Sequence, residues 1–116
     1  MSLRNAILLA LNVLALSVGQ VLFKLAARAI DGTEPALRQV LFNGALWSAL
    51  VVYGLATAFW VALLREVPLH VAYPFVALAF FFVPVMAHVV LGEPLRWQTL
   101  AGAAVIFVGV WLSGFE

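Results

Sequence analysis

The sequence contains no cysteine and few charged residues of either sign. The absence of Cys from all 116 residues excludes disulfides, thiolate metal sites and cysteine nucleophiles. Charged residues make up 9% of the chain and the net charge is +1, so the basic patch that nucleic-acid binding needs is not present. Hydrophobic residues make up 66%. A soluble domain of this length cannot bury that much apolar surface, and the sequence therefore predicts an integral membrane protein.

The charged side chains fall where the apolar runs break, and these breaks place the membrane spans. About 20 apolar residues cross a hydrocarbon core about 30 Å thick, so about four helical spans fit the chain. We predict an all-α integral membrane protein, a single domain of four transmembrane helices with short loops, at about 5–30, 46–64, 69–91 and 98–113. The first run is too long for a cleavable signal and is expected to be a true span. The first loop is expected to hold a short amphipathic piece at the membrane surface.

Basic residues divide unequally between the two sides of the membrane. Arg4 and Arg65 mark one side. The other side is marked by Arg28, Arg38 and Arg96, together with Lys24 if its side chain snorkels. The difference slightly favours a cytoplasmic position for the first and third loops. A bias this small also permits insertion in both orientations.

Polar side chains form one stripe along the first predicted helix. At 100° per residue, five of them fall within an arc of about 160°: Asn12, Ser17, Gln20, Lys24 and Arg28. A lysine near the bilayer centre costs about 2.5 to 3.5 kcal/mol on insertion scales, so we expect Lys24 and Gln20 to face a partner or a wet cavity. The alternative is that Lys24 only snorkels to the lipid head groups.

The third predicted helix combines histidine, tyrosine and proline on one face. His70, Tyr73, Pro74, Pro84 and His88 project within about 100° of one another. An internal proline removes a backbone hydrogen bond and clashes with the preceding turn, so Pro74 and Pro84 are predicted hinges of a helix that lines a cavity. Alternatively, these prolines are ordinary for membrane helices, and the histidines and Tyr73 lie at the membrane interface.

The fourth predicted helix has no ionisable group but contains Gly102 and Gly109 among small alanines. Small residues allow helix backbones to approach closely in lipid, where no hydrophobic drive acts between helices. The sequence therefore predicts a packing helix.

Three segments resemble one family of transporters. "SVGQVLFKLA" in the first helix, "FWVALLREVPLHVAYPF" across the second and third, and "LGEPLRWQTLAGAAVIFVGVWL" at the end are similar to the drug/metabolite transporter superfamily. Within it the chain most resembles the small four-helix, EamA-like subunits that flip 4-amino-4-deoxy-L-arabinose-phosphoundecaprenol, a lipid-linked sugar used to modify lipopolysaccharide. The resemblance runs from about Ala15 to Leu112. It implies a multi-pass protein of the bacterial inner membrane that is not an enzyme and needs no cofactor.

Comparison with a related family narrows the range of expected substrates. The small multidrug resistance proteins resemble this chain in size and four-helix plan, but they depend on a membrane-embedded glutamate in their first helix. Here the first helix carries no acid, and its ionisable groups are cationic. These groups repel cationic drugs and suit an anionic phosphate.

The resemblance and the polar stripe together give an expected substrate-binding set. Lys24, assisted by Arg28 or Gln20, is expected to contact the lipid phosphate. Glu93 is expected to pair with Arg96 or with a sugar amine, or else to be an exposed carboxylate near the start of the last helix. The full set is Asn12, Gln20, Lys24, Arg28, Trp60, His70, Tyr73 and Glu93.

Four helices are too few to surround a sugar-phosphate head group. We therefore expect two chains, as a homodimer or a heterodimer with a related subunit, packed through Gly102 and Gly109. Two other functions stay open: a small-solute or drug exporter, and a non-transporting subunit that assembles with a membrane enzyme. Catalysis is not expected, because the sequence has no nucleophile–base pair, metal cluster or phosphate-binding glycine loop.

Overall fold

The computed structural model describes residues 2–113, and this part of the chain is helical with no strand. Six α-helices and one 3₁₀ helix follow one another: α1 Leu3–Arg28, α2 Ala36–Leu41, α3 Gly44–Leu64, α4 Leu69–Ala72, the 3₁₀ helix Tyr73–Leu78, α5 Ala79–Leu91 and α6 Trp97–Ser113. The predicted all-α class is confirmed. The expected amphipathic piece of the first loop corresponds to α2.

Three helical stretches are long and apolar enough to cross a membrane: Leu3–Arg28, Gly44–Leu64 and the combined stretch Leu69–Leu91. The fourth, α6, is apolar but has only 17 residues. That length lies at the lower end of what spans a bilayer, about 17 residues. The chain is therefore a multi-pass membrane protein, while its division into one domain with four spans stays a prediction.

A buried asparagine joins the end of α1 to the start of α3. Asn43 precedes α3, and its Oδ1 accepts the backbone N–H of Leu46 at 3.1 Å, which caps the helix. Its Nδ2 donates to the carbonyl of Ala26 at 2.8 Å, near the end of α1. The Asn43 side chain thus satisfies a backbone N–H at the start of α3 and a backbone carbonyl near the end of α1. These two bonds hold the two ends of the first loop together.

The apolar core lies at the opposite end of the bundle, where the tight turn after α3 leads into α4. Its buried residues come from the first half of α1, the end of α3, the turn and α4: Leu9, Leu63, Val67, Val71 and Ala72. Leu63 lies in the last turn of α3 and Val71 lies in α4, so the turn between them holds both helices at this core. The chain then crosses from this end to the end that carries Arg28 and the turn after α5.

The helix predicted at 69–91 is interrupted near its first proline. The α-helix ends at Ala72, and a 3₁₀ helix that has Pro74 in its first turn takes over until Leu78. Proline is tolerated there because its missing N–H would have no partner in a first turn. Pro84, in contrast, lies inside α5, which continues through it. The change of helix type thus coincides with Pro74, and hinge motion at either proline stays a prediction.

The helices form a thin layer. The principal extents are 54 × 35 × 18 Å, and the shortest one is less than two helix diameters, which are about 10–12 Å each. Most side chains of α6 are consequently exposed, and Ala103 is its buried residue. In a bilayer such apolar faces contact either lipid or another chain.

Candidate functional site

Three charged side chains from two distant parts of the chain meet at one end of the bundle. Lys24 and Arg28 come from the end of α1, and Glu93 comes from the turn between α5 and α6. Lys24 Nζ lies 4.0 Å and Arg28 Nη2 lies 3.9 Å from the same carboxylate oxygen, Oε2 of Glu93. We refer to these three residues as the charge cluster.

The end of α1 places both cations on one helix face. Lys24 and Arg28 are four residues apart, so their side chains are neighbours. Since α1 ends at Arg28 and not at the predicted residue 30, Lys24 lies only about 6 Å from the helix end. Its side chain is 53% exposed. Both cations lie where they favour the helix dipole, and an orientation of Lys24 toward a partner or a wet cavity stays a prediction.

The turn after α5 directs Glu93 toward α1. Gly92 has a φ of 72°, a left-handed conformation that suits glycine at a helix end. The backbone N–H of Glu93 donates to the carbonyl of Ala87 at 3.2 Å. His88 Nδ1 lies 2.8 Å from the Glu93 carbonyl oxygen, and it must be the donor because a carbonyl only accepts. His88 thus positions the backbone of Glu93.

Arg28 also closes the end of α5. Its Nη2 donates to the carbonyl of Leu91, the last residue of α5, at 3.3 Å. The last carbonyls of a helix lack partners within the helix, and a basic side chain can satisfy them. Arg28 therefore joins α1 to α5 by a hydrogen bond as well as by charge.

The charge cluster is loosely paired and carries more positive than negative charge. Both N–O distances exceed the 2.7 to 2.9 Å that is usual for hydrogen bonds between charged groups. Glu93 is 38% exposed, and the two cations share one of its oxygens. Arg28 has five N–H donors and Lys24 has three. Such a site can bind an anion with several oxygens, such as a phosphate.

Gln20 connects the charge cluster to an apolar cavity. It lies one turn before Lys24 on the same face of α1 and borders a cavity of about 350 Å³ between α1 and α5. The other walls are apolar residues of α5: Ala79, Phe80, Val83 and Pro84. Cations at the end of α1 and an apolar cavity one turn earlier along the same helix suit an amphiphilic anion.

Two other predicted residues meet in a separate cavity. Tyr73 and Trp60 line a space of about 240 Å³ together with residues of α1, α3 and the 3₁₀ helix: Leu16, Tyr53, Thr57 and Val76. His70, in the short helix α4, lies at the end of the bundle opposite the charge cluster. The predicted site residues are consequently not gathered in one site.

Asn12 does not join the charge cluster. Its side chain is buried, with 2% exposed, and its Nδ2 donates to the carbonyl of Ala56 on α3 at 2.8 Å. Ser17 is buried as well and donates to the carbonyl of Val13. The stripe predicted on α1 is therefore split, because Asn12 and Ser17 are buried while Gln20, Lys24 and Arg28 are exposed.

Of the partners expected for Glu93, Arg96 forms no ion pair with it among the described residues, while pairing with a sugar amine stays a prediction. The left-handed turn at Gly92 directs Glu93 toward the end of α1, where Lys24 and Arg28 pair with it. The Gly-Glu-Pro sequence indicates a turn, since left-handed turns favour glycine, but it does not show that the turn directs Glu93 toward α1. The link that Asn43 makes between α1 and α3 was not predicted. Within residues 2–113 no cluster of three metal-ligating side chains is found.

Comparison with known proteins shows to which family the chain belongs. The EamA-like transporter family matches residues 3–115. The chain is 37% identical over 115 residues, 95% of this chain and 96% of the relative, to "Probable 4-amino-4-deoxy-L-arabinose-phosphoundecaprenol flippase subunit ArnE" of Pseudomonas paraeruginosa. The protein of the same name from Pectobacterium atrosepticum is 33% identical over 110 residues, 95% of this chain and 97% of that one. No solved structure matches the chain at a significant level.

A further relative carries the name of another subunit. The flippase subunit ArnF of Proteus mirabilis is 38% identical over 65 residues, which is 54% of this chain and 49% of the relative. Similarity to proteins with both subunit names indicates that the two kinds of subunit are related to each other.

Proposed function

The chain belongs to the EamA-like transporter family, and from this membership we propose that it is a subunit of a flippase for an undecaprenyl-phosphate-linked amino sugar. We place it in the bacterial inner membrane. The observation that carries the proposal is the charge cluster of Lys24, Arg28 and Glu93, one helical turn from Gln20 and the cavity that Gln20 borders. Relatives named as flippase subunits over nearly their whole length support it.

Lys24 and Arg28 are proposed to bind the phosphate of the lipid. They lie on one face of α1, and a phosphate between them would accept hydrogen bonds from both. Hydrogen bonds between oppositely charged groups are stronger than neutral ones, and a guanidinium matches phosphate geometry particularly well. The absence of any acid on α1 disfavours a cationic drug as the substrate.

The cavity between α1 and α5 is proposed to hold the first isoprene units of the tail. Its walls from α5 are apolar, and Gln20 provides a polar contact between tail and phosphate. A polyprenyl lipid crosses slowly alone because its polar head must enter hydrocarbon. The protein therefore needs to provide a polar path for the head while the tail stays in the bilayer.

A second chain is proposed to complete the path. The structure is only 18 Å thick in its shortest dimension, and the cavity between α1 and α5 is open to the outside. A homodimer or a heterodimer with a related four-helix subunit would enclose the head group. We propose that Gly102 and Gly109 of α6 face this partner, since neither has a heavy atom near the position of an added Cβ.

A lipid-binding measurement tests the proposed function. Native mass spectrometry with undecaprenyl phosphate should show binding to the wild type, and Lys24→Gln or Arg28→Gln should weaken it about fivefold or more. Arg65→Gln is the matched control, because Arg65 is an exposed cation at the opposite end of the bundle. Its affinity should equal that of the wild type.

The same titration separates the competing functions. Binding of tetraphenylphosphonium without binding of the lipid phosphate would contradict the proposal in favour of a small-solute exporter. A stable complex with a larger membrane enzyme, together with no lipid binding, would favour the assembly subunit. Equal affinities in wild type, Lys24→Gln and Arg28→Gln would remove the charge cluster from the substrate site.

A further inference from the structure

The Glu93 carboxylate lies between Lys24 and Arg28, where the phosphate of the lipid is proposed to bind. Its Oε2 lies 4.0 Å from Lys24 Nζ and 3.9 Å from Arg28 Nη2, so the carboxylate is the resident anion of both cations. Exposed ion pairs of this kind contribute little to stability, because water and salt screen them. A phosphate with several oxygens can therefore displace this carboxylate from both cations.

A displaced Glu93 carboxylate cannot move far from the site. The backbone at this residue is held by the left-handed turn at Gly92, by the bond to the Ala87 carbonyl and by His88 Nδ1 at 2.8 Å. After displacement its negative charge stays close to the bound phosphate, and like charges repel each other. A substrate that brings its own cation removes this repulsion.

The other acids on this side of the membrane have their own partners. Asp31 Oδ1 accepts hydrogen bonds from the hydroxyl of Thr33 at 2.7 Å and from Gln39 Nε2 at 2.6 Å. Glu34 pairs with Arg38 at 3.8 Å within the first loop. Among residues 2–113, Glu93 is therefore the acid that pairs with the two cations of α1.

We infer that Glu93 selects the head group: the lipid phosphate takes Lys24 and Arg28, and the freed carboxylate binds a cationic amine across the sugar ring. The inference rests on the proposed function and assigns the specificity of the same site. Two cations and one carboxylate match a head group that carries both a phosphodiester and a protonated amine. A head group without the amine leaves the carboxylate unpaired beside the phosphate and binds more weakly.

Titration with three lipids measures this selection: 4-amino-4-deoxy-L-arabinosyl phosphoundecaprenol, its N-acetylated form, and undecaprenyl phosphate. The N-acetylated form carries no positive charge on its nitrogen. The wild type should bind the amine form about fivefold more tightly than the N-acetylated form. In Glu93→Gln this ratio should fall to about one, and undecaprenyl phosphate should bind more tightly than to the wild type, because its competitor is gone.

Two variants control for indirect effects. Glu34→Gln removes an acid from an ion pair on the same side of the membrane and should keep the wild-type ratio. Glu93→Asp retains the charge with a shorter reach and should keep a reduced preference for the amine form. Loss of all lipid binding in both Glu93→Asp and Glu93→Gln would assign Glu93 a purely structural role and overturn the inference.

The result also separates this inference from the proposed function. An unchanged ratio in Glu93→Gln, with all three lipids bound, would overturn the selection by Glu93 and leave the flippase proposal standing. Failure of the wild type to bind any of the three lipids would overturn the proposed function itself, and the selection with it.

Discussion

Gly19 of α1 lies directly against the ring of Tyr53 on α3. A Cβ added at Gly19 would be 3.0 Å from Tyr53 Cδ2, closer than almost all such contacts in proteins. One turn later, the ring of Phe23 meets the same tyrosine edge to face, with centroids 5.8 Å apart. The close approach of α1 and α3 thus depends on the missing side chain at Gly19, as is common where membrane helices pack.

A branched residue at this position should separate the two helices. Gly19→Val should lower the free energy of unfolding by about 1 to 3 kcal/mol, since Tyr53 must move to make room. Reversible unfolding of the purified protein in mixed micelles measures the loss. Gly54→Val is the control, because an added Cβ there meets no heavy atom within 4 Å. Equal losses in both variants would show that helix propensity, and not the contact with Tyr53, is responsible.

The positions of the helices follow from the sequence, but the contacts between them do not. The breaks between apolar runs placed α1 and α3 within about two residues of their observed ends, because lipid allows the backbone few alternatives to a helix. The helical periodicity of α1 also predicted that Lys24 and Arg28 lie on one face. It gave no sign that Asn12 faces Ala56, because a periodic pattern shows which residues share a face and not which helix covers that face.

The ion-pair partners of Glu93 were also not predictable from the sequence. Its partner depends on the turn at Gly92 and on the contact between α1 and α5, and both arise only when helices distant in sequence pack together. Neighbours in sequence suggested Arg96 instead. Resemblance to a transporter family singled out Glu93, and the structure supplied its partners.

Gly92 should be required for the position of Glu93. Its φ of 72° costs a residue with a Cβ about 1 kcal/mol or more. Gly92→Ala should therefore lower stability by about that amount and weaken the preference for the amine lipid over its N-acetylated form, as measured by lipid titration. Gly92→Asn should lose less stability and less of the preference for the amine lipid than Gly92→Ala, because asparagine tolerates the left-handed region better than alanine does. An equal effect of alanine and asparagine would contradict the role of backbone conformation.

Asn12 should affect packing and not lipid binding. Asn12→Leu removes the hydrogen bond to the Ala56 carbonyl, and such bonds between membrane helices contribute about 0.6 kcal/mol on average. We expect a small loss of stability and an unchanged affinity for undecaprenyl phosphate in the same titration that detects Lys24→Gln. A loss of affinity comparable to that of Lys24→Gln would place Asn12 in the substrate path after all.

Asp31 should titrate below its ordinary value in the first loop. The backbone N–H and the hydroxyl of Thr33, followed by the side chain of Gln39, lower the pKa of Asp31 from 3.8. Because these contacts favour the carboxylate, their stabilising effect is present above pH 3.8 and is lost as the pH falls through the lowered pKa. An NMR titration of the carboxyl carbon measures this value. Thr33→Ala should raise it, while Glu34→Gln should leave it nearly unchanged.

The exposed glycines of α6 should determine whether two chains associate. Gly102 and Gly109 are two turns apart and lie on one face of α6, with no heavy atom within 4 Å of an added Cβ. If another chain packs there, Gly102→Leu and Gly109→Leu should reduce the dimer fraction in native mass spectrometry and the yield of crosslinks in membranes.

A leucine on the other side of the same helix separates this contact from a general change in hydrophobicity. Ala104 is exposed and lies about 200° around the helix from Gly102, so Ala104→Leu should leave the dimer fraction unchanged. Lipid accommodates leucine as readily as glycine, whereas a close helix contact does not. If all three variants dimerise like the wild type, the glycine face contacts lipid, and the second chain must enclose the cavity between α1 and α5 from another side.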